Sequence, residues 1–131
     1  ALGNVLWSEG NYKQAKFHVE QAYQMDNKMV VVLNNLAWYI AHDEVPDLPR
    51  ALELIELAVS QNPDEIRLRS TYGTVLMKLG RDQEAARELE LSLTGVMNRK
   101  EVHRKLAILY ENLGSSEMAS IHRENSLKDD D

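Results

Sequence analysis

The sequence repeats itself with a period of about 34 residues, and this period constrains the fold more than any other feature. Residues of the same kind recur in register, and successive members of each series are 34 or 36 residues apart. The four series are Ala15, Ala51, Ala85 and Ala119; Gly3, Ala37, Gly73 and Ala107; Leu6, Ile40, Leu76 and Tyr110; and Ala22, Ala58, Ser92 and Ser126. Such periods are typical of solenoids, in which each unit buries its apolar face against its neighbours.

Each repeat unit contains two helical patterns. In the third unit, apolar residues follow helical spacing from Leu68 to Leu79, and Gly80 then ends the pattern. A second apolar pattern begins at Ala85, and no segment shows the sustained alternation of a strand. Because short turns join antiparallel helices, the sequence predicts an all-α fold of helical hairpins. Small residues such as Gly73 and Ala85 are expected where two helices cross closely.

These residues resemble the tetratricopeptide repeat family. Its pattern has Leu-Gly and an aromatic residue in the first helix, a Gly-x-Tyr turn, and then Ala, an aromatic residue, Ala and Pro. The matching residues are Leu2, Gly3, Gly10, Tyr12, Ala15 and Ala22; Leu36, Ala37, Ala51, Ala58 and Pro63; Tyr72, Gly73, Gly80, Ala85 and Leu89; and Leu106, Ala107, Tyr110, Gly114 and Ala119. The resemblance implies an α-solenoid, a right-handed superhelix of antiparallel helical hairpins. The stretches Leu33–Trp38 and Gln61–Pro63 are similar to those of bacterial multi-repeat members.

We expect a single array over residues 1–131 that is divided into four units. The approximate units are 1–29, 30–65, 66–99 and 100–131. The first is expected to be truncated, because Ala1 falls at about the sixth position of the family frame, and the last to end in an acidic tail. The second unit contains two extra residues near Pro46 and Pro49, a segment that should be stiff and extended. Asp47 is expected to cap the helix that follows.

Composition disfavours several classes of partner. The chain carries 15 Lys and Arg against 21 Asp and Glu, a net charge of -6. An anionic chain gains little from a polyphosphate backbone or an anionic membrane surface. The longest uninterrupted apolar runs, 29–33 and 36–41, are far too short to span a bilayer. The sequence therefore predicts neither nucleic-acid binding nor membrane insertion.

Catalytic and metal-binding motifs are not recognisable. No two of the four histidines lie three to five residues apart, so no helix is expected to present a histidine pair to a metal. His18 and His122 occupy the same repeat position on the second helix, which indicates a tolerant surface position. There is no phosphate-binding glycine loop, no nucleophile elbow and no cysteine. We predict a chain that is not an enzyme and uses no cofactor or metal.

The resemblance implies that the first helix of each unit lines a concave groove in which partner segments bind. On the family frame, the predicted partner-binding residues are Asn4, Trp7, Asn34, Trp38, Arg67, Thr74, Met77, Lys78, Arg104 and Ile108. Trp7 and Trp38 are the only tryptophans, a residue type enriched in interface hot spots. The alternative is that each tryptophan packs, half-buried, against a neighbouring helix.

Three of these residues make the middle of the groove locally basic within an acidic chain. Arg67, Lys78 and Arg104 would suit an acidic partner or a C-terminal carboxylate. The alternative is pairing within the chain, for example between Arg104 and Glu101, three residues apart.

A carboxylate clamp, which some members of the family use for a peptide C-terminus, is incomplete here. Asn4, Asn35 and Arg67 fill three of its five places. Thr71 stands at the fourth in place of a basic residue, and the fifth precedes Ala1.

We interpret the chain as a non-catalytic module for protein–protein interaction that binds a protein or peptide segment in its concave groove. Two alternatives remain open. The first is self-association, with a homodimer formed through the array ends, which the apolar edge at residues 1–6 favours. The second is a regulatory arm of a larger enzyme.

Overall fold

The computed structural model describes residues 9–26, 29–95 and 98–128, and these residues form seven α-helices without a strand. The helices are α1 (Glu9–Met25), α2 (Val30–Ala41), α3 (Leu48–Gln61), α4 (Arg67–Lys78), α5 (Asp82–Ser92), α6 (Arg99–Asn112) and α7 (Ser116–Asn125). The closest packing joins α2 to α3, α4 to α5 and α6 to α7, and these pairs stack in chain order. The predicted all-α arrangement of helical hairpins is confirmed.

Two helices end at glycines with positive φ. The φ of Gly80 is 80° and that of Gly114 is 82°. After α4, the N–H of Arg81 donates to the Leu76 carbonyl at 2.9 Å, and the N–H of Gly80 donates to the Met77 carbonyl at 3.0 Å. This Schellman arrangement needs a left-handed residue, a conformation that glycine adopts without steric cost. The same pair of bonds forms after α6, so α5 and α7 can fold back on the helices before them.

The helix starts agree with the sequence signals at α3 and differ from them at α1. Asp47 caps α3 as predicted, since its Oδ1 accepts from the N–H of Arg50 at 3.2 Å, and Pro49 lies in the first turn. The repeat frame places Gly10 in a turn, whereas α1 begins at Glu9 and includes it. Glycine tolerates a helical backbone at a cost of about 1 kcal/mol, so this glycine did not determine the boundary.

The apolar core consists of two clusters that α4 joins. The first cluster lies between α2, α3 and α4, and the second between α4, α5 and α6. The largest fully buried side chains are Leu33, Leu36, Ile55, Leu76, Leu89, Leu106, Leu109 and Val75. Leu52 and Tyr72 pack against both clusters. Each hairpin thus buries its apolar face against its neighbours, as the repeat predicts.

Small residues bring α4 and α5 close together. A Cβ atom added to Gly73 would lie 2.6 Å from Cγ of Leu89 and 3.3 Å from the carbonyl oxygen of Ala85. Ala85 is itself completely buried. These contacts confirm the structural role that the recurring small residues predict.

A half-buried ion pair ties the same two helices together. Nη1 of Arg69 lies 2.7 Å from Oε1 of Glu88, and both side chains are more than four-fifths covered. Arg69 also donates to the carbonyl of Pro63 at 2.8 Å. Arg69 thus couples α4 to α5 by charge.

The surface position predicted for His122 is wrong. His18 is exposed, but His122 is only 5% exposed and its Nδ1 lies 2.9 Å from Nδ1 of His103. The ring of Tyr110 stacks on His122, and a Glu90 oxygen lies 3.0 Å from Nε2 without the alignment of a hydrogen bond. The two histidines are 19 residues apart, so their contact depends on the packing of α6 against α7 and has no helical spacing in the sequence.

We expect Ala85→Trp to destabilise the fold severely, because the indole would have to enter the closed contact between α4 and α5. Overpacking of this kind costs about 3 kcal/mol at the upper end of its range. Thermal and urea unfolding followed by circular dichroism would measure the loss. Gln83→Trp, at an exposed position of the same helix, is the matched control and should leave the melting temperature nearly unchanged. Equal stability of the two variants would contradict the packing described here.

Candidate functional site

Trp38 is the centre of the candidate site. It lies on α2, where Leu33, Leu36 and Ala37 supply the buried face. The indole is half-buried and stacks on His42, with 4.1 Å between the ring centres. It also meets Tyr39 edge to face at 5.2 Å. These contacts fix the orientation of the ring and leave part of it accessible.

Two cavities lie on either side of Trp38, and its side chain lines both. The first has a volume of about 330 Å³ and is lined by residues of α2, α4 and α6 together with Asn98, just before α6. Its lining consists of Trp38, His42, Ser70, Thr71, Thr74, Asn98, Glu101, Val102 and Lys105. The second has about 370 Å³ and is lined by Val19, Asn34, Asn35, Trp38 and Tyr39 of α1 and α2.

The first cavity contains a half-buried ammonium group. Nζ of Lys105 donates to Oγ1 of Thr74 at 2.9 Å, and this hydroxyl donates to the carbonyl of Ser70 at 2.8 Å. Burial lowers the pKa of Lys105, the negative charge of Glu101 opposes this shift, and the positive charge of Lys78 adds to it. The group is thus a cation in surroundings that stabilise its charge less well than water does.

A hydrogen bond to the backbone fixes the ring of His42 at the edge of the first cavity. Its Nδ1 lies 2.8 Å from the carbonyl oxygen of Trp38, and since a carbonyl only accepts, Nδ1 carries the proton. Burial of the stacked face lowers the pKa of His42, and the bond to Trp38 raises it. The positive charges of Lys78 and Lys105 lower it further.

The two predicted arginines are already paired with nearby glutamates. Arg67 meets both carboxylate oxygens of Glu65, at 3.0 and 3.2 Å. Arg104 bonds to Glu101 at 2.7 Å, which is the pairing weighed as the alternative in the sequence. Neither arginine lines either of the two cavities.

The structure brings some of the other predicted residues together and separates the rest. Trp38 shares the first cavity with Thr74 and the second with Asn34. Met77 packs partly buried against the second core cluster, and Ile108 is exposed outside both cavities. The predictions for Asn4 and Trp7 fall outside the described residues.

Lys78 differs from the two arginines. It is exposed at the end of α4, and it forms no ion pair within the described ranges. Its charge acts on both His42 and Lys105, which places it near the first cavity.

The sequence reasoning missed Lys105 and Asn98. The family frame does not include the position of Lys105 among the groove positions. One signal was available, because Lys105 follows Glu101 by four residues and therefore shares its helix face. Asn98 precedes α6, and a residue outside a helix has no periodic signal.

A larger and more open depression, of about 900 Å³, lies away from Trp38. It is lined by Gln83, Ala86, Arg87, Glu90, Leu91, Thr94, Tyr110, Leu113 and Ser115. Leu91 and Leu113 are exposed apolar side chains on its rim. Its lining also includes the ring of Tyr110 and the guanidinium group of Arg87.

Two kinds of feature were not found in the part of the chain that the structure describes. No three His, Asp or Glu side chains are grouped so that they could hold a metal ion. No helix there combines the length and the apolar character that crossing a bilayer requires.

Comparison with known proteins supports the resemblance to the tetratricopeptide repeat family. A tetratricopeptide repeat family model matches residues 1–29. The solved structure of MamA AMB-1 is 26% identical with a TM-score of 0.72, and the match covers 95% of this chain and 73% of that one. MamA MSR-1 is 26% identical with a TM-score of 0.69, covering 89% of this chain and 66% of that one. The chain has the helical repeat fold of the tetratricopeptide repeat proteins.

The fold is therefore a tetratricopeptide-type α-solenoid, and helical repeats of this kind are scaffolds for protein–protein interaction. A further crystal structure of MamA has a TM-score of 0.74 at 16% identity, which supports the fold alone. The chain spans 66% to 73% of the length of the MamA chains described above. No curated protein sequence matches it significantly.

We expect the pKa of His42 to lie below the ordinary histidine value of 6.5, because burial and two lysines disfavour the charged ring. Lys78→Met and Lys105→Met should each raise it. An NMR titration of the ring protons, assigned with His42→Gln, would measure the shift. Arg87→Met, on the distant depression, is the control and should have no effect. A midpoint above 6.5 that neither lysine variant moved would contradict the described surroundings of the ring.

Proposed function

We propose that this tetratricopeptide repeat protein binds a segment of a partner protein along its concave side, across the face of Trp38. The observation that carries the proposal is that one half-buried indole lines two adjacent cavities. A segment that passes over the indole can place one side chain in each cavity. Aromatic residues fixed in this way are typical centres of binding energy.

Apolar contact on α2 would supply the affinity. Val31 and Trp38 are seven residues apart and so lie on one face of the helix, and Val31 is 59% exposed. Removing such apolar surface from water contributes about 25 cal/mol per Å². Ile108, which is 51% exposed, would extend the apolar contact toward α6, and the partly exposed side of Met77 would add to it.

Polar groups beside the indole would supply selectivity. Oδ1 of Asn34 is buried, and no donor among the described residues bonds to it. This oxygen is too well covered for a bound segment to reach, so Asn34, which lines the second cavity, would act through its amide nitrogen by donating to a carbonyl of the segment. Lys78 would select against a cationic segment. Arg67 and Arg104 would act at the rim, where each already holds a carboxylate.

The repeat frame extends the proposed surface to Asn4 and Trp7 in the first unit. This extension rests on the sequence pattern alone. It predicts that a bound segment can run past α1 toward the start of the chain.

Self-association is the second candidate function. The depression between α5 and the end of α6, with Leu91 and Leu113 on its rim, offers apolar surface to a second copy. It lies apart from the Trp38 cavities, so variants can distinguish the two candidates.

Trp38→Ala should weaken the binding of peptides selected on the native protein from a displayed random library. The expected loss is about 30-fold or more, because truncating a hot-spot aromatic costs about 2 kcal/mol or more. Fluorescence anisotropy with labelled synthetic peptides would measure it.

Two variants control this experiment. Phe17→Ala removes a 56% exposed aromatic side chain from α1 and should leave peptide binding unchanged. Leu91→Ala alters the other depression. If Leu91→Ala abolished binding and Trp38→Ala did not, the site would belong to that depression. A mass in solution that fell to the monomer only in Leu91→Ala would favour self-association.

A further inference from the structure

We propose that the cavity beside Trp38 is a subsite for a carboxylate, supplied by an Asp or Glu side chain of the bound segment and held by Lys105. This inference rests on the proposed function and names the chemistry of the partner. The cavity volume of about 330 Å³ lies at the lower end of the range of roughly 300–1,000 Å³ for ligand pockets. It therefore suits a single side chain.

Lys105 is fixed in place, but only some of its hydrogen-bond donors are used. Its ammonium group has three donors, and one is used on Oγ1 of Thr74. Because the hydroxyl of Thr74 donates to Ser70, its lone pairs face the ammonium group. Within the described parts of the chain, Lys105 forms no ion pair. The remaining donors are available to an acceptor in the cavity.

The nearest carboxylate of the chain is already engaged. Glu101 lines the same cavity, but its Oε2 accepts from Nη2 of Arg104 at 2.7 Å. Glu101 acts on Lys105 through its charge, without approaching to the distance of an ion pair. The arginine thus holds the acidic group that would otherwise neutralise Lys105.

A second cation strengthens the attraction for an anion. Lys78 is exposed and unpaired within the described residues, and its charge disfavours that of Lys105 and His42. A carboxylate bound to Lys105 would relieve this repulsion. Because Lys105 is half-buried, its attraction for a negative charge is screened less than at an exposed site.

The position of Trp38 explains why the carboxylate of an internal Asp or Glu side chain fits this cavity better than the carboxylate of a chain terminus. Trp38 separates this cavity from the second one, which the segment can also reach. A C-terminal carboxylate in the first cavity would end the segment there. An Asp or Glu side chain lets the backbone continue in both directions across the indole. Thr71 and Asn98 line the cavity and can donate to the second carboxylate oxygen.

The test compares arrays of short peptides with blocked ends, probed with the full chain. One array contains Asp and Glu, a second has Asn and Gln in their place, and a third leaves the C-terminus free. We expect the native protein to select peptides with an acid at one fixed position. Changing that Glu to Gln should weaken binding about tenfold, a difference of about 1.4 kcal/mol.

Variants of Lys105 test whether this lysine causes the preference for an acidic peptide. In Lys105→Met the Glu and Gln peptides should bind equally, whereas Lys105→Arg should restore part of the preference. Arg87→Met, an exposed cation on the other depression, should keep it. A melting curve of each variant shows whether the fold is intact, and Lys105→Arg preserves the test if Lys105→Met does not fold.

The other outcomes overturn the inference in distinguishable ways. Peptides that need Trp38 but show no preference for an acid would overturn the carboxylate subsite and leave the proposed function standing. An acid preference that survives Lys105→Met would place the anion elsewhere. Binding only in the array with free C-termini would overturn the side-chain assignment. No binding in any array would overturn the proposed function itself.

Discussion

The close contact between α4 and α5 determines the position of everything else in this chain. Gly73 allows Leu89 to approach the backbone of α4 within a distance that a Cβ atom would prevent. Tyr72, next to it, packs against both core clusters, so α4 links the two halves of the array. Ser70 and Thr74 lie four residues apart on the same helix and form one wall of the first cavity. The geometry of the candidate site is therefore a consequence of how tightly one pair of helices packs.

The electrostatics of the concave side cannot be inferred by counting its basic residues. Arg67 and Arg104 are the most conspicuous cations, yet each is exposed and neutralised by a glutamate close to it in the chain. Exposed pairs of this kind contribute little to stability and leave a weak field. Lys105 is less conspicuous, but it is half-buried and not ion-paired within the described residues. In an acidic chain, one cation that is screened less outweighs two that are already paired.

The sequence predicted the fold well because the fold depends on local and periodic signals. The repeat, the cap at Asp47 and the glycines after α4 and α6 each act within a few residues of their position in the chain. In the candidate site, Trp38 and Thr74 follow the helix period and line one cavity, and their part in binding stays a prediction. His122 and Lys105 were misjudged because their surroundings come from other helices. A contact across 19 or 31 residues is set by packing angles, which residue types alone do not encode.

The division of α2 into two faces explains how one scaffold can serve different partners. Leu33 and Ala37 are fully buried in the first core cluster, while Asn34 and Trp38 follow each of them by one residue and line the cavities. Each residue along a helix is rotated by about 100° from the one before it. Adjacent positions therefore face different surroundings, here the core and the cavities. Substitutions on the cavity face can alter the choice of partner with little effect on the core. The repeat pattern fixes the buried positions, so under the proposed function the selectivity for a bound segment resides in the residues that the pattern leaves free.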